Sequence, residues 1–192
     1  ESDRHMQRAI AVDPNYYPAL SHLASHERAR NRLDSALAFA QKSRAANPFN
    51  RERMVIAILT TMNRYDEAIR LARQDFAEAK DASAMARLGY LLVRSGQTEE
   101  GLRLIESAVA KDPNVPTRLS ALATAYVRAG QKQKALETLT RLEALGKKRA
   151  VSPLTFAAIH ADLGEFDKAF ARLETAYEAH DPAMPFIGVF FD

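Results

Sequence analysis

Two histidines stand four residues apart in the stretch His22-Leu23-Ala24-Ser25-His26. On a helix that spacing puts both imidazoles on one face, one turn apart, where they can chelate a transition-metal ion. Two ligands do not make a site, and the sequence places no third histidine or carboxylate beside them. No metal and no other cofactor is therefore expected. The chain has no cysteine, which excludes disulfides, thiolate zinc sites and cysteine nucleophiles. No nucleophile motif, Gly-rich phosphate loop or isolated carboxylate pair occurs, and a catalytic constellation needs such groups in complementary roles. The expectation is that the chain is not an enzyme.

Charge gives no stronger lead. The 27 basic and 24 acidic residues are scattered along all 192 positions, for a formal net charge of +3, too mixed a pattern for a nucleic-acid footprint. The cluster Lys147-Lys148-Arg149 follows a helix end, where cations complement the dipole. No apolar run approaches the roughly 18 residues of a membrane span, and no signal-peptide pattern opens the chain. Neither membrane nor nucleic acid is expected as a partner. A cytoplasmic location is expected, with the periplasm left open.

The elements that must carry any site are set by an internal repeat. Gly96, Gly130 and Gly164 are each 34 residues apart, and Asn31 and Asn63 continue the series upstream. Glycine, then asparagine, are the residues that best tolerate the left-handed conformation at a helix end. Neighbouring columns keep the step: Leu88, Leu122 and Phe156 are large, whereas Gly89, Ala123 and Ala157, and Gly101, Ala135 and Ala169, are small. His160 shares the column of Tyr126 and is expected in a partly buried packing role; His180 is expected in solvent.

Apolar residues recur at three- and four-residue intervals, predicting two amphipathic helices per unit. First helices are predicted over 17–29, 51–61, 82–94, 116–128 and 151–162, and second helices over 33–46, 65–79, 98–111, 132–145 and 166–179. Asp34, Asp66, Thr98 with Glu99 and Glu100, and Asp167 open the second helices, where exposed N–H groups favour them. Asp13-Pro14, Asn47-Pro48, Asp112-Pro113 and Asp181-Pro182 close units, since proline cannot continue a helix. At Ala79-Lys80-Asp81 that proline is missing, so a weaker break, with the helix running on, is expected there.

The recurring order of large residue, leucine with a small neighbour, aromatic, Gly turn, alanine and closing proline resembles the tetratricopeptide repeat (TPR). It is clearest in Met85, Leu88-Gly89, Leu92, Gly96, Gly101, Ile105, Ala108 and Pro113, and again in Leu119, Leu122-Ala123, Tyr126, Gly130, Ala135 and Leu139. The stretch from Ser152 to Glu178 is similar to the closing repeat of TPR arrays in bacterial regulatory proteins. The resemblance implies an all-α, right-handed superhelical array, an α-solenoid of antiparallel helix pairs. About five units are expected, at 17–50, 51–81, 82–115, 116–149 and 150–183, within a single array over 1–192. A half repeat at 4–14 precedes them and an apolar tail at 184–192 follows, with Phe186, Phe190 and Phe191 expected to cap the last unit. The opening half repeat implies either more chain upstream or a helix that is itself the cap.

In such an array the first helices line a concave face, the usual binding surface of stacked repeats. The candidate stripe is Ser21, Ser25 and Arg28; Val55, Leu59 and Met62; Arg87, Tyr90 and Arg94; Ser120, Thr124 and Arg128. Its small, apolar and arginine residues suit an extended or helical peptide of acidic character. The function expected is a non-catalytic protein- or peptide-binding scaffold, the interaction or regulatory part of a larger bacterial signalling protein. Two alternatives stay open: a self-association module forming homo-oligomers through its terminal repeats, and a small-ligand sensor using the groove near Tyr90.

Overall fold

A computed structural model describes residues 2–47 and 53–189. Among them are eleven α-helices, a terminal 3-10 helix at Met184–Val189 and no strand. The helices gather into two compact units, Glu1–Asp75 and Phe76–Asp192. None is long and apolar enough to cross a membrane.

The first unit holds α1 (Ser2–Val12), α2 (Tyr17–Ala29), α3 (Leu33–Ala46), α4 (Arg53–Thr61) and most of α5 (Tyr65–Ala79). The second holds α6 (Ala82–Arg94), α7 (Thr98–Lys111), α8 (Pro116–Arg128), α9 (Lys132–Gly146), α10 (Pro153–Asp162) and α11 (Phe166–Glu178). Helices of a pair are joined by one recurring turn. Asn31, Asn63, Gly96, Gly130 and Gly164 all have positive φ, between 56° and 90°. The residue after each donates its N–H five residues back, from Arg32 to Glu27, Arg64 to Leu59, Gln97 to Leu92, Gln131 to Tyr126 and Glu165 to His160, at 2.8–2.9 Å. That bond satisfies a carbonyl the helix end would otherwise strand, as in the Schellman turn.

The acidic residues predicted at second-helix starts occupy first turns, Asp34 in α3, Asp66 in α5, Glu99 and Glu100 in α7 and Asp167 in α11, and Glu67 joins Asp66 in α5. Side-chain caps proper belong to first helices: Asp81 Oδ1 accepts from Ala84 N at 2.7 Å and Ser152 Oγ from Leu154 N at 3.2 Å. The break at Ala79-Lys80-Asp81 is sharper than its missing proline implies. Lys80 takes φ 50°, ending α5, and Asp81 immediately caps α6, so the helix does not run on.

The small columns set helix spacing. Gly89 of α6 faces Gly101 of α7 so closely that a Cβ on Gly89 would lie 2.7 Å from Gly101 O, and one on Gly101 2.5 Å from Gly89 O. Ala123, Ala135 and Ala157 are fully buried, and Leu119, Leu122, Ile105, Leu139, Leu142, Phe156 and Ile159 fill the second unit's core around them. In the first unit Leu20, Leu23, Ile56 and Ile58 are buried, with Ala24, Ala36 and Ala68 as the small residues.

Candidate functional site

The second unit's first helices carry the polar cluster that the repeat brings into register. Arg94, Arg128 and Asp162 are successive members of one column, 34 residues apart at the ends of α6, α8 and α10. Tyr90 and Thr124 form the column one turn earlier. The Asp162 carboxyl lies above its usual range because surrounding protein strips away water; a Thr124 hydrogen bond and then the charges of Arg128 and Arg94 pull it back. Tyr90 is likewise pushed up by desolvation and partly drawn back by Arg94, which also hydrogen-bonds it. One carboxylate, two guanidiniums, a phenol and a hydroxyl thus share one region, in which the Tyr90 phenol and the Asp162 carboxyl are partly desolvated while Asp162 and Arg128 keep an exposed side. Such a setting strengthens each electrostatic contact to an incoming group.

The candidate stripe divides in two. Arg87, Tyr90, Arg94 and Ser120 are half-buried, Arg128 is exposed and Thr124 is buried with its hydroxyl on Asp162. In the first unit, Ser21 turns to its own hairpin partner: its Oγ lies 2.7 Å from Ser43 Oγ, which also donates to Tyr17 O at 3.2 Å. Val55 and Leu59 are 4% and 2% exposed and belong to the core, so they present no surface. Helix α4 is only nine residues long and five of them are aliphatic, Val55, Ile56, Ala57, Ile58 and Leu59, which leaves little polar face. Ser25, Arg28 and Met62 are half-buried, and burial lowers the Arg28 guanidinium from its ordinary value.

Asp162 lies outside the candidate stripe. The signal for it is in the repeat itself, since extending the Arg94–Arg128 column by one further step of 34 lands on it.

The histidines fall in three settings. His160 is 5% exposed, with Nδ1 2.8 Å from Glu165 Oε2, a more complete burial than its column predicts; its repeat equivalent Tyr126 bonds Glu106 through its hydroxyl at 2.8 Å. Desolvation first, then that acceptor, raises the Tyr126 hydroxyl to about 12. His180 is exposed and supplies a positive-φ turn after α11. His22 and His26 lie side by side with ring centroids 4.1 Å apart, and Asp3 of α1 lies against them, with Oδ1 2.5 Å from His26 Nδ1.

A cleft of about 400 Å³ involving α9, α10 and α11 is lined by ion-paired groups. Glu165 takes both His160 and Lys168, and Glu143 pairs with Arg172 at 3.0 Å, whose guanidinium covers the Phe156 ring. Its charges are mutually satisfied, which gives it a packing explanation. Lys147, Lys148 and Arg149 are exposed, and Arg149 Nη1 reaches Asn114 O at 3.4 Å. Asp181, 8% exposed, accepts from Ser152 Oγ at 2.6 Å and from Ala183 N at 2.8 Å, tying the closing turn to the start of α10. The capping role expected of Phe190 and Phe191, and of the Phe186 side chain, lies outside the described residues.

Comparison with known proteins agrees with this architecture. Residues 92–154 match a family model for the tetratricopeptide repeat. A curated relative, cellulose synthase 2 operon protein C of Komagataeibacter xylinus, is 27% identical over 206 aligned residues; the match takes in 96% of this chain but only 16% of that protein's length. Among solved structures, a thermophilic TPR protein of Thermus thermophilus is 19% identical with a TM-score of 0.67, over 90% of this chain and 96% of its own. YrrB, described as a TPR protein with an unusual peptide-binding site, is 17% identical with a TM-score of 0.54, over 94% of each chain. MamA from Desulfovibrio magneticus is 20% identical with a TM-score of 0.62, over 78% of this chain and 86% of its own. At these identities the solved structures share the fold. With five hairpins closed by the same left-handed turn, small residues at their crossings and a family match over residues 92–154, the chain has the tetratricopeptide repeat fold.

Proposed function

We propose that the α6–α8–α10 face of the second unit binds an acidic peptide segment of a protein partner, and that the chain is a non-catalytic scaffold. The observation that carries this reading is the Arg94–Arg128–Asp162 column with Tyr90 and Thr124, in which the Arg94 and Arg128 charges act on a partly desolvated Asp162 carboxyl and Arg94 hydrogen-bonds the Tyr90 phenol. Arginine forks match carboxylates two bonds at a time, and a tyrosine beside them offers a rigid amphipathic surface. Asp162 supplies a counter-charge that keeps the arginines ordered and would reject a partner carboxylate placed opposite it. That a solved TPR relative is described as having a peptide-binding site supports the choice of ligand. No nucleophile and base are paired among these residues, hence the non-catalytic assignment.

The test compares partners captured by the parent chain with those captured by Arg94→Glu and Tyr90→Ala, with circular dichroism to confirm folding. Loss of the same partner from both folded variants supports the groove. Identical captured sets would show that these residues do not bind.

A second reading concerns the setting. The curated relative is named for a cellulose synthase operon and aligns with almost the whole of this chain. A scaffold within a bacterial polysaccharide-synthesis assembly is therefore favoured over a signalling role. Co-purification of polysaccharide-synthesis components with the parent chain, lost in Arg94→Glu, is the expected result.

A further inference from the structure

The sequence offers His22 and His26 as a two-ligand chelate, and the fold adds a third donor. We propose that Asp3, His22 and His26 form a site for a divalent transition-metal ion of the zinc type, which links α1 to α2. One ligand atom from each residue lies within 4.8 Å of those from the other two, and all three residues are half-buried. The imidazoles are tilted by 41° to one another, with ring centroids 4.1 Å apart.

The two oxygens of Asp3 have separate partners. Oδ1 is shielded from solvent and faces His26 Nδ1 at 2.5 Å, while Oδ2 accepts from Arg30 Nη1 at 2.5 Å. Arg30 is in turn 3.6 Å from Glu27, which also takes Arg32 at 2.7 Å. A carboxylate oriented through one oxygen and presented through the other is the arrangement that supports a ligating group in metal sites.

The distances suit the ion. Zinc held at about 2.0–2.2 Å from nitrogen and oxygen in a tetrahedron sets its donors roughly 3.3 Å apart. From the present arrangement, Oδ1 and Nδ1 would open by under about 1 Å and the widest pair would close by about 1.5 Å, within reach of side-chain torsions. Two imidazoles and one carboxylate favour zinc, cobalt, nickel or copper, whereas magnesium and calcium take oxygen ligands. Three protein ligands leave a fourth position for water or for a donor from outside.

Chelator-treated chain is titrated with zinc chloride by calorimetry and with cobalt(II) by visible absorption. The expected result is one ion per chain, a cobalt spectrum of low-symmetry nitrogen and oxygen coordination, and a zinc-dependent rise in melting temperature. His22→Gln, His26→Gln and Asp3→Asn should each weaken binding about tenfold or more. His180→Ala, on an exposed turn, should bind like the parent. No saturable binding, or equal affinity in the parent and His22→Gln, overturns the site. Equal affinity in Asp3→Asn, with both histidines still required, overturns the three-residue assignment and leaves only the one-turn chelate. Because Asp3 also holds Arg30, each variant's helix content is checked without metal; a loss in Asp3→Asn alone leaves the two glutamine variants to decide.

Discussion

A methyl group at Gly101 has nowhere to go. Built on the backbone, its Cβ meets Gly89 O at 2.5 Å, Val93 Cγ2 at 2.7 Å and Val93 N at 2.8 Å. Unstrained carbon contacts lie near 3.5–4.0 Å, so α6 and α7 must part by roughly 1 Å, and two of the three obstacles are backbone atoms. Overpacking of this kind costs about 1–3 kcal/mol. Alanine in place of helical glycine recovers about 0.5–1 kcal/mol of backbone entropy. With backbone on both sides the cost sits in the upper half of its range, and Gly101→Ala should destabilise the chain by about 1–2 kcal/mol net. At roughly 2–4 °C per kcal/mol for a chain of this size, melting falls by about 2–8 °C. Gly89→Ala meets Gly101 O and Ile105 Cγ1 at 2.7 Å and Leu104 Cβ at 3.1 Å, so one obstacle is backbone where Gly101 has two, and its effect should be smaller. The double variant should cost less than the sum, because both methyls open the same gap. Urea and thermal unfolding followed by circular dichroism measure all three. A Gly101→Ala chain more stable than its parent by the entropy increment would show that the helices part freely, and would refute the close-approach argument.

Gly130→Ala should cost about 1–2 kcal/mol for a different reason, since φ is +71° and no atom within 4 Å obstructs the methyl; Gly130→Asn, read in the same melts, should cost less, as Asn31 and Asn63 already serve there. Hydrogen bonds from His160, then Lys168, hold the Glu165 carboxyl below the usual glutamate range. A depressed carboxyl contributes stability above its unfolded value and loses it as pH falls through the folded one, so thermal melts of Glu165→Gln should show a flatter acid limb than the parent. Asp162 is shifted the other way. Acidic-peptide binding, followed by fluorescence anisotropy, should tighten as pH falls through that raised value and the groove loses its negative charge; Asp162→Asn should bind tightly without that dependence.

The helices were legible because the residues that delimit them act locally. Positive φ at Asn31, Asn63, Gly96, Gly130 and Gly164 is a property of the residue and its nearest neighbours. Lys80 was not legible for the complementary reason: lysine has no preference for φ 50°, and the turn there is imposed by Asp81 capping α6 and by packing around Met85, Ala86 and Phe76. The candidate stripe was readable as helix positions, but the fate of each depended on neighbours outside its helix. Val55 and Leu59 stand eight and four residues before Asn63, as the buried Leu88 and Leu92 stand before Gly96, so they hold core positions of the repeat, and Ala57 and Thr61 are the register equivalents of Tyr90 and Arg94. Asp3 reaches His26 across the turn from α1 to α2, a proximity no spacing rule within one helix could supply.

The Ser152–Asp181 hydrogen bond joins the residue that starts α10 to the residue that follows α11. The last hairpin is thereby closed on itself, with its outer ends latched. Fraying from the α11 end must break this 2.6 Å contact and the Ala183 N bond before any helical amide is released. The final pair should consequently exchange its amide protons as one cooperative body, not by gradual loss from the C-terminal side. A helix pair that opens all at once gives a neighbouring ligand two states to choose between.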